Sequence, residues 1–270
     1  MHHIRAGQGP RLLLLHGLGS NHRTWAPVQA RLAKDFELVI PDLPGFGRTP
    51  PPEAGMSLPA LVDAVLRFME QEGLRGAPVA GISMGGQIAL DMLRRGATGP
   101  VVALAPGGFW MGWERGWIAG NLSAGLANLR LVRPLLPAIA ALPATRALLF
   151  AQFCARPWAV PADVALDEAR SEATSPGTDP LLRETLVGPM QKGLAPGQAL
   201  PAPLTILWGR EDRVMLPRQA ERAQAAFPGA RLRWVAQAGH YIHWDQPEEV
   251  AEIIRETCGP AARRALLPAA

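Results

Sequence analysis

Six residues, Gly81-Ile82-Ser83-Met84-Gly85-Gly86, narrow the architectures open to this chain more than any other stretch. They follow a short apolar run, Pro78-Val79-Ala80, and open into Gln87-Ile88-Ala89-Leu90-Asp91-Met92-Leu93, whose pattern is helical. A serine between glycines at a strand-to-helix junction is the signature of a nucleophile elbow, in which the hydroxyl projects from a strained turn. Gly81 and Gly85 suit that turn because a side chain at either position would collide with the folded-back main chain. The helix opening here also aims its first N–H groups at negative charge developing beside Ser83. Small-residue turns with a serine recur by chance, so a base, an acid and a second oxyanion donor must come from elsewhere in the chain.

The flanking sequence supplies the sheet that such a turn needs. Leu12-Leu13-Leu14-Leu15 is a continuous apolar run closed by His16-Gly17-Leu18-Gly19-Ser20, as expected of a buried parallel strand. A helix is expected over 25–34. A strand over 36–40 then ends in Pro41-Asp42-Leu43-Pro44-Gly45-Phe46-Gly47. Ser57 is placed to cap a helix over 58–72, whose apolar residues Leu61, Val62, Val65, Leu66 and Met69 follow helical spacing. Val101–Leu104 reads as a further buried strand. Alternation resumes with a strand at 204–209, a helix at 217–227, a strand at 231–235 and a helix at 247–257. Alternating strands and helices predict a mostly parallel twisted sheet of about seven strands with helices on both faces. Between about 107 and 200 the strand signals vanish, and prolines punctuate helical pieces near 114–131, 134–154, 161–172 and 179–192. The expected organisation is a core of residues 1–107 and 201–260, a helical lid inserted at 108–200, and a loosely packed tail at 261–270.

Composition excludes several function classes. The chain has 270 residues, 48% of them apolar, enough for one domain with an insertion. Its net charge of +4 is carried almost wholly by scattered arginines, with Lys34 and Lys192 the only lysines. No basic stripe or binding motif accompanies that charge, so nucleic-acid binding is not expected. A mild positive field would favour anionic substrates. Cys154 and Cys258 are far apart and are expected as free thiols rather than a disulfide. The stretch Met1–Gly7 has no apolar signal-peptide core, and no run is long enough to span a bilayer. A cytoplasmic protein without stable membrane insertion, without a metal and without a cofactor is expected. Oligomeric state is not legible.

In a parallel sheet the active site lies at the carboxyl ends of the strands. Gly209-Arg210-Glu211-Asp212 follows one expected strand, and Ala236-Gln237-Ala238-Gly239-His240 follows the next. The chain order Ser83, Asp212, His240 is that of hydrolases with this elbow. A serine hydroxyl is a poor nucleophile until an imidazole takes its proton. A carboxylate must then hold the other ring N–H and stabilise the imidazolium. Asp212 is favoured over Glu211 because the loop after Gly209 suits a shorter side chain, although Asp212 would also serve as a helix cap. His240, after Gly239, is favoured over His243, which is expected to pack beneath the site. His16 is expected to brace its loop by hydrogen bonds. The oxyanion donors are expected to be the N–H groups of Met84, next to the nucleophile, and Leu18, in the loop after the first long strand.

These motifs together, with Asp245-Gln246-Pro247-Glu248 after Gly239-His240, resemble the lid-bearing α/β-hydrolases of the esterase, lactonase and C–C hydrolase superfamily. The resemblance covers nearly the whole chain except the insertion and the tail. Such proteins usually begin with two antiparallel strands; here about ten residues precede Leu12, room for one strand near 2–6. The resemblance implies a Ser83–His240–Asp212 triad that hydrolyses a small carboxylic ester, or a lactone, through an acyl-enzyme. Similar dehalogenases and epoxide hydrolases carry aspartate at the elbow, and the only tyrosine here is Tyr241, so neither activity is expected. Phe109, Trp110, Met111, Trp113 and Trp117 cluster just after the fourth parallel strand. Phe109, Trp110 and Met111, with Val214, are the expected substrate-pocket residues, and they imply an apolar acyl or aryl group. Enol-lactonase, C–C hydrolase and perhydrolase activities would use the same triad. An aminopeptidase would need lid acids, for which Glu114, Asp163 and Glu168 are candidates. The alternative from another class is a non-catalytic binding protein on the same fold.

Overall fold

The computed structural model describes residues 1–53 and 55–264. Seven strands form one sheet: β1 (His3–Ala6), β2 (Arg11–Leu15), β3 (Glu37–Pro41), β4 (Val79–Ile82), β5 (Val101–Leu104), β6 (Leu204–Gly209) and β7 (Arg231–Val235). Their order across the sheet is β1-β3-β2-β4-β5-β6-β7. β1 runs antiparallel to β3, and every other neighbouring pair is parallel. The one short strand ahead of Leu12 is thus an outer edge. The opposite edge, β7, carries Arg231 and Arg233, charges that discourage pairing with another chain.

The first helices are α1 (Ala26–Leu32), entered through a 3₁₀ turn at His22–Trp25, α2 (Leu58–Gln71) and α3 (Met84–Arg94). Ser57 caps α2, its hydroxyl accepting the Ala60 N–H at 3.3 Å. The segment between β5 and β6 holds α4 (Glu114–Leu131), α5 (Leu136–Ala141), α6 (Pro143–Phe150), α7 (Ala162–Thr174) and α8 (Thr178–Val187). After β6 come α9 (Pro217–Ala226), α10 (Ile242–Asp245) and α11 (Pro247–Arg264). α3 lies on β4 and β5 and against α2, while α11 lies on β2 and β5 and against α1. This cover explains why the central strands read as continuous apolar runs. Leu12, Leu13, Leu14 and Leu15 are completely buried, each contributing about 1.5–3 kcal/mol of hydrophobic stabilisation.

Three boundaries differ from the sequence expectation. The stretch 134–154 is two helices, because Leu142 is extended (φ −100°, ψ 133°) ahead of Pro143, as the ring of a following proline favours. α8 stops at Val187 rather than near 192, since Gly188 is extended and Pro189 follows. α11 runs past Thr257 to Arg264, so the expected start of the tail at 261 falls inside a helix; residues 265–270 lie outside the described residues. Cys154 and Cys258 are both free and buried.

Candidate active site

The elbow sits where the strand order reverses. β2 has β3 on one side and β4 on the other, with Leu15 opposite Gly81, so the loops leaving β2 and β4 diverge and open a crevice. Ser83 caps α3 with φ 55° and ψ −114°, a backbone conformation that costs a non-glycine residue about 1–3 kcal/mol. Three hydrogen bonds hold it there. Its N–H donates to the Leu104 carbonyl at 2.8 Å, and its carbonyl accepts from Gln87 N at 2.9 Å and Gly107 N at 3.3 Å. A Cβ on Gly81 would fall on the Gly85 carbonyl, and one on Gly85 on the Leu15 carbonyl, so both must be glycine.

Asp212 and His240 leave the ends of β6 and β7 and meet in the interior. His240 Nδ1 donates to Asp212 Oδ2 at 2.9 Å, with 3% of the histidine side chain and none of the aspartate side chain exposed. Asp212 Oδ1 accepts the N–H groups of Val214 and Met215, both at 2.8 Å. The capping role and the histidine contact therefore use different oxygens of one carboxylate. Glu211 is exposed. No hydrogen bond joins Ser83 to His240 among the described residues, but the two share the wall of one cavity lobe. Such contacts are often long before a substrate is bound.

Leu18 lines the cavity beside Ser83, and Gly17 packs against the Ser83 Cβ. Among the described residues neither the Leu18 N–H nor the Met84 N–H donates a hydrogen bond, as an oxyanion pair requires. His16 is fully buried; its Nδ1–H donates to the Gly17 carbonyl and its Nε2 accepts from Leu43 N, both at 2.8 Å. Burial pushes its pKa down to about 4, so it is a neutral brace for the Leu18 loop. His243 is fully buried too, with Nε2 at 3.2 Å from Thr24 Oγ1 and its pKa pushed down to about 3 by burial.

The cavity has two lobes that meet at Ser83, Leu18 and Leu122, of about 550 and 530 Å³ counting the space open at their mouths. Of the expected pocket residues, Trp110 lines the first lobe. Phe109 and Val214 lie in the core without lining either lobe, and Met111 faces solvent, 64% exposed. Trp113 and Trp117 are also largely exposed. The cause is local: the turn at Gly112 (φ 56°) and the start of α4 direct alternate side chains inward and outward. Met215 takes the place expected of Val214.

Two further acids are central: Asp245, marked in the sequence only as part of the motif after His240, and Glu172, which no sequence pattern singles out. Asp245, 4% exposed, accepts three main-chain N–H groups at 2.8 Å, from Gly239, Ala155 and Arg156. It thus ties the loop before His240 to the helical segment. Glu172, on α7, lines the second lobe beside His240. Of the lid acids considered from sequence, Glu114 is bound by Arg222 and Arg218, Asp163 is exposed beside Arg23, and Glu168 is buried against Ser20 and Tyr241.

One group of potential metal ligands occurs among the described residues: His2, His22 and Asp42. Asp42 Oδ1 already accepts His22 N (2.9 Å) and Nδ1 (2.8 Å), and Oδ2 accepts His2 Nδ1 (2.7 Å) and Arg48 N (2.9 Å). With its lone pairs so committed, the trio acts as a brace for the loop after β3.

A serine on a strained elbow at the end of β4 and the histidine of a buried carboxylate–imidazole pair thus face one cavity. The chain belongs to the alpha/beta hydrolase family, whose model matches residues 12–253. It is 28% identical over 262 residues to the dihydrolipoyllysine-residue acetyltransferase component of the acetoin cleaving system of Cupriavidus necator. That match covers 94% of this chain, which spans only 65% of the relative's length. Over 89 residues, a third of each chain, it is 40% identical to a pimeloyl-[acyl-carrier protein] methyl ester esterase of Aeromonas salmonicida. Among solved structures, a thermophilic esterase from Thermogutta terrifontis matches with a TM-score of 0.73 and 22% identity, over 94% of this chain and 91% of that one, a likeness of fold.

Proposed function

We propose that the protein is a serine hydrolase that cleaves small carboxylic esters, with Ser83, His240 and Asp212 as its triad. The observation that carries this reading is the buried His240–Asp212 pair at 2.9 Å, whose histidine shares one cavity wall with Ser83. Ser83 Oγ attacks the ester carbonyl carbon while His240 Nε2 takes its proton. The carbonyl oxygen becomes an oxyanion held by the N–H groups of Leu18 and Met84, each contributing about 3 kcal/mol to the transition state. The C–O bond to the alcohol breaks as His240 returns the proton to it, leaving an acyl-Ser83. Water, deprotonated by His240, then releases the acid and restores the serine. The helical segment at 108–200 acts as the lid, placing Trp110, Ile118 and Leu122 over the apolar part of the substrate. A lactone or an activated C–C bond next to a carbonyl would enter the same cycle. The partial likeness to a methyl ester esterase supports the ester.

A fluorophosphonate probe separates this enzyme from a binding protein on the same fold. The expected result is one-to-one labelling of Ser83 that disappears in Ser83→Ala. That variant is also expected to lose at least about a thousandfold in kcat/KM on p-nitrophenyl esters. Labelling that persists in Ser83→Ala, or none in the folded wild type, would overturn the assignment.

A further inference from the structure

The cavity that Ser83 faces is lined by acids and, His240 apart, by no basic side chain among the described residues. Neither lobe is lined by an arginine or lysine side chain among the described residues, although the whole chain carries a net charge of +4. Each lobe is otherwise mostly apolar and holds one glutamate, Glu184 in the first and Glu172 in the second. Glu184 is half engaged, one oxygen accepting the Leu58 N–H at 2.9 Å. Glu172 belongs to a denser arrangement. It is 8% exposed, its Oε1 lies 2.7 Å from the Tyr241 hydroxyl, and its other oxygen has no hydrogen-bond partner among the described residues. Its side chain also packs on Gly19, in the Leu18 loop.

The same tyrosine hydroxyl lies 3.1 Å from Oε1 of Glu168, one turn earlier on α7 and 1% exposed. One hydroxyl hydrogen serves one acceptor. For both contacts to be hydrogen bonds, one carboxyl must carry a proton and donate to the tyrosine oxygen. The surroundings favour that state, because no cation reaches the pair. Ser20 Oγ donates to Glu168 Oε2 at 2.9 Å, without charge. Asp167, on the same helix, adds negative charge, and Arg23 is drawn outward to Asp163 and Asp167. On α4, Arg130 is held by the Ala173 carbonyl and Asp179, and on α6 Arg146 by the Ala140 and Ala141 carbonyls. α5 carries no ionisable group, and Cys154 and Tyr241 are neutral. The remaining partner is His240, positive only when protonated.

We propose that this cavity selects an uncharged or cationic substrate and refuses a carboxylate, with Glu172 setting the preference in the lobe beside His240. The proposal rests on Ser83 marking the place where the substrate reacts. A substrate carboxylate placed in this lobe would meet a like charge in a low-dielectric wall with no counter-ion, which opposes binding strongly. A neutral or cationic group would instead accept from or donate to the free Glu172 oxygen. The Glu168–Glu172 pair keeps its proton near neutrality, since burial pushes both pKa values up, to about 8 and about 7, and the Glu172 carboxylate raises that of Glu168 further. The refusal therefore sharpens as pH rises and the pair takes its second negative charge.

The test uses near-isosteric esters carrying the charge on either side of the bond, since either side of the substrate can occupy the lobe. On the acyl side these are p-nitrophenyl methyl succinate and p-nitrophenyl hydrogen succinate. On the alcohol side they are 3,3-dimethylbutyl acetate and acetylcholine. The wild type is expected to prefer the neutral over the anionic succinate in kcat/KM by at least about tenfold at about pH 8. It is expected to hydrolyse acetylcholine no worse than its neutral analogue. Glu172→Gln, close in shape, is expected to bring the succinate ratio within about threefold. Glu168→Gln, which removes the neighbouring charge, is expected to lower the pH at which discrimination sets in, a change no loss of fold would produce. Equal turnover of the two succinates by the wild type, or a ratio unmoved in Glu172→Gln, would overturn the proposal. Calorimetric binding of the same esters to Ser83→Ala separates it from the catalytic assignment. A neutral preference in binding, without turnover by the wild type, would sink the esterase reading and leave this inference standing.

Discussion

Ser83 combines a chemical requirement with a structural cost. Its φ of 55° serves the exposure of the hydroxyl, and Leu104, Gln87 and Gly107 hold it in place. Replacing the serine by alanine keeps the strain, whereas glycine relieves it. Ser83→Gly is therefore expected to be more stable than Ser83→Ala by about 1 kcal/mol in urea unfolding, although both lack the nucleophile. Alanine equal to or more stable than glycine would mean that the elbow is not strained. Asp245 is the opposite case, a residue whose charge holds the structure together. Asp245→Ala removes the acceptor of three N–H groups and is expected to destabilise the fold by about 3 kcal/mol, read from the urea midpoint. At this scale the sequence was legible where chemistry forces the residue type. Gly81, Gly85, His16 and the Asp212–His240 pair occupy the places their surroundings demand. Glu172 was not legible, because a glutamate on a helix of mixed polarity reads as a solvated face until the packing of α7 is known.

The elements differ in how firmly local sequence determines them. β2, β4, β5 and β6 are short apolar runs closed by turn residues, and their burial leaves little freedom. The segment from α4 to α8 is less constrained: α5 and α6 divide at Pro143, and α8 ends at Gly188, both local effects of proline and glycine. The joint between this segment and the core is ionic. Glu114, 2% exposed, accepts two hydrogen bonds from Arg222 on α9, at 2.6 and 2.8 Å, and also meets Arg218. Arg222 further donates to the Phe109 carbonyl at 2.7 Å. These contacts hold the Glu114 pKa down to about 2, Arg222 being the main cause. Arg222→Ala is expected to cost about 1–2 kcal/mol, moderated by the partial exposure of the arginine and by the remaining Arg218. Hydrogen exchange is expected to quicken in the first turns of α4 and not in α3. Uniform loss of protection across both helices would show that the pair supports the whole fold instead of the joint.

For the whole molecule, buried titrating groups set opposing demands on pH. His16 and His243 are held neutral, so the unfolded chain binds protons that the folded one does not. Their contribution to stability is complete above about pH 6.5 and is lost as pH falls through about 4 for His16 and about 3 for His243. Glu168 and Glu172 act in the other direction. Their folded pKa values are raised, so their contribution is complete below about pH 4.5 and is lost as pH rises through about 7–8. Removing the acidic pair in Glu168→Gln/Glu172→Gln is therefore expected to move the pH of greatest stability upward, measured by urea midpoints across the range. An unmoved optimum would show that the pair is ionised in the folded protein. The sequence alone determined the sheet, its short leading edge and the chain order of the serine, acid and histidine, because strand burial and turn chemistry act over a few residues. Only the tertiary structure decided which side chains face the cavity. Whether a given side chain of the helical segment meets solvent, core or the space beside Ser83 depends on how α4, α7 and α8 pack, which no local pattern encodes. For the same reason a chain that is basic as a whole encloses a cavity whose ionisable walls, His240 aside, are acidic.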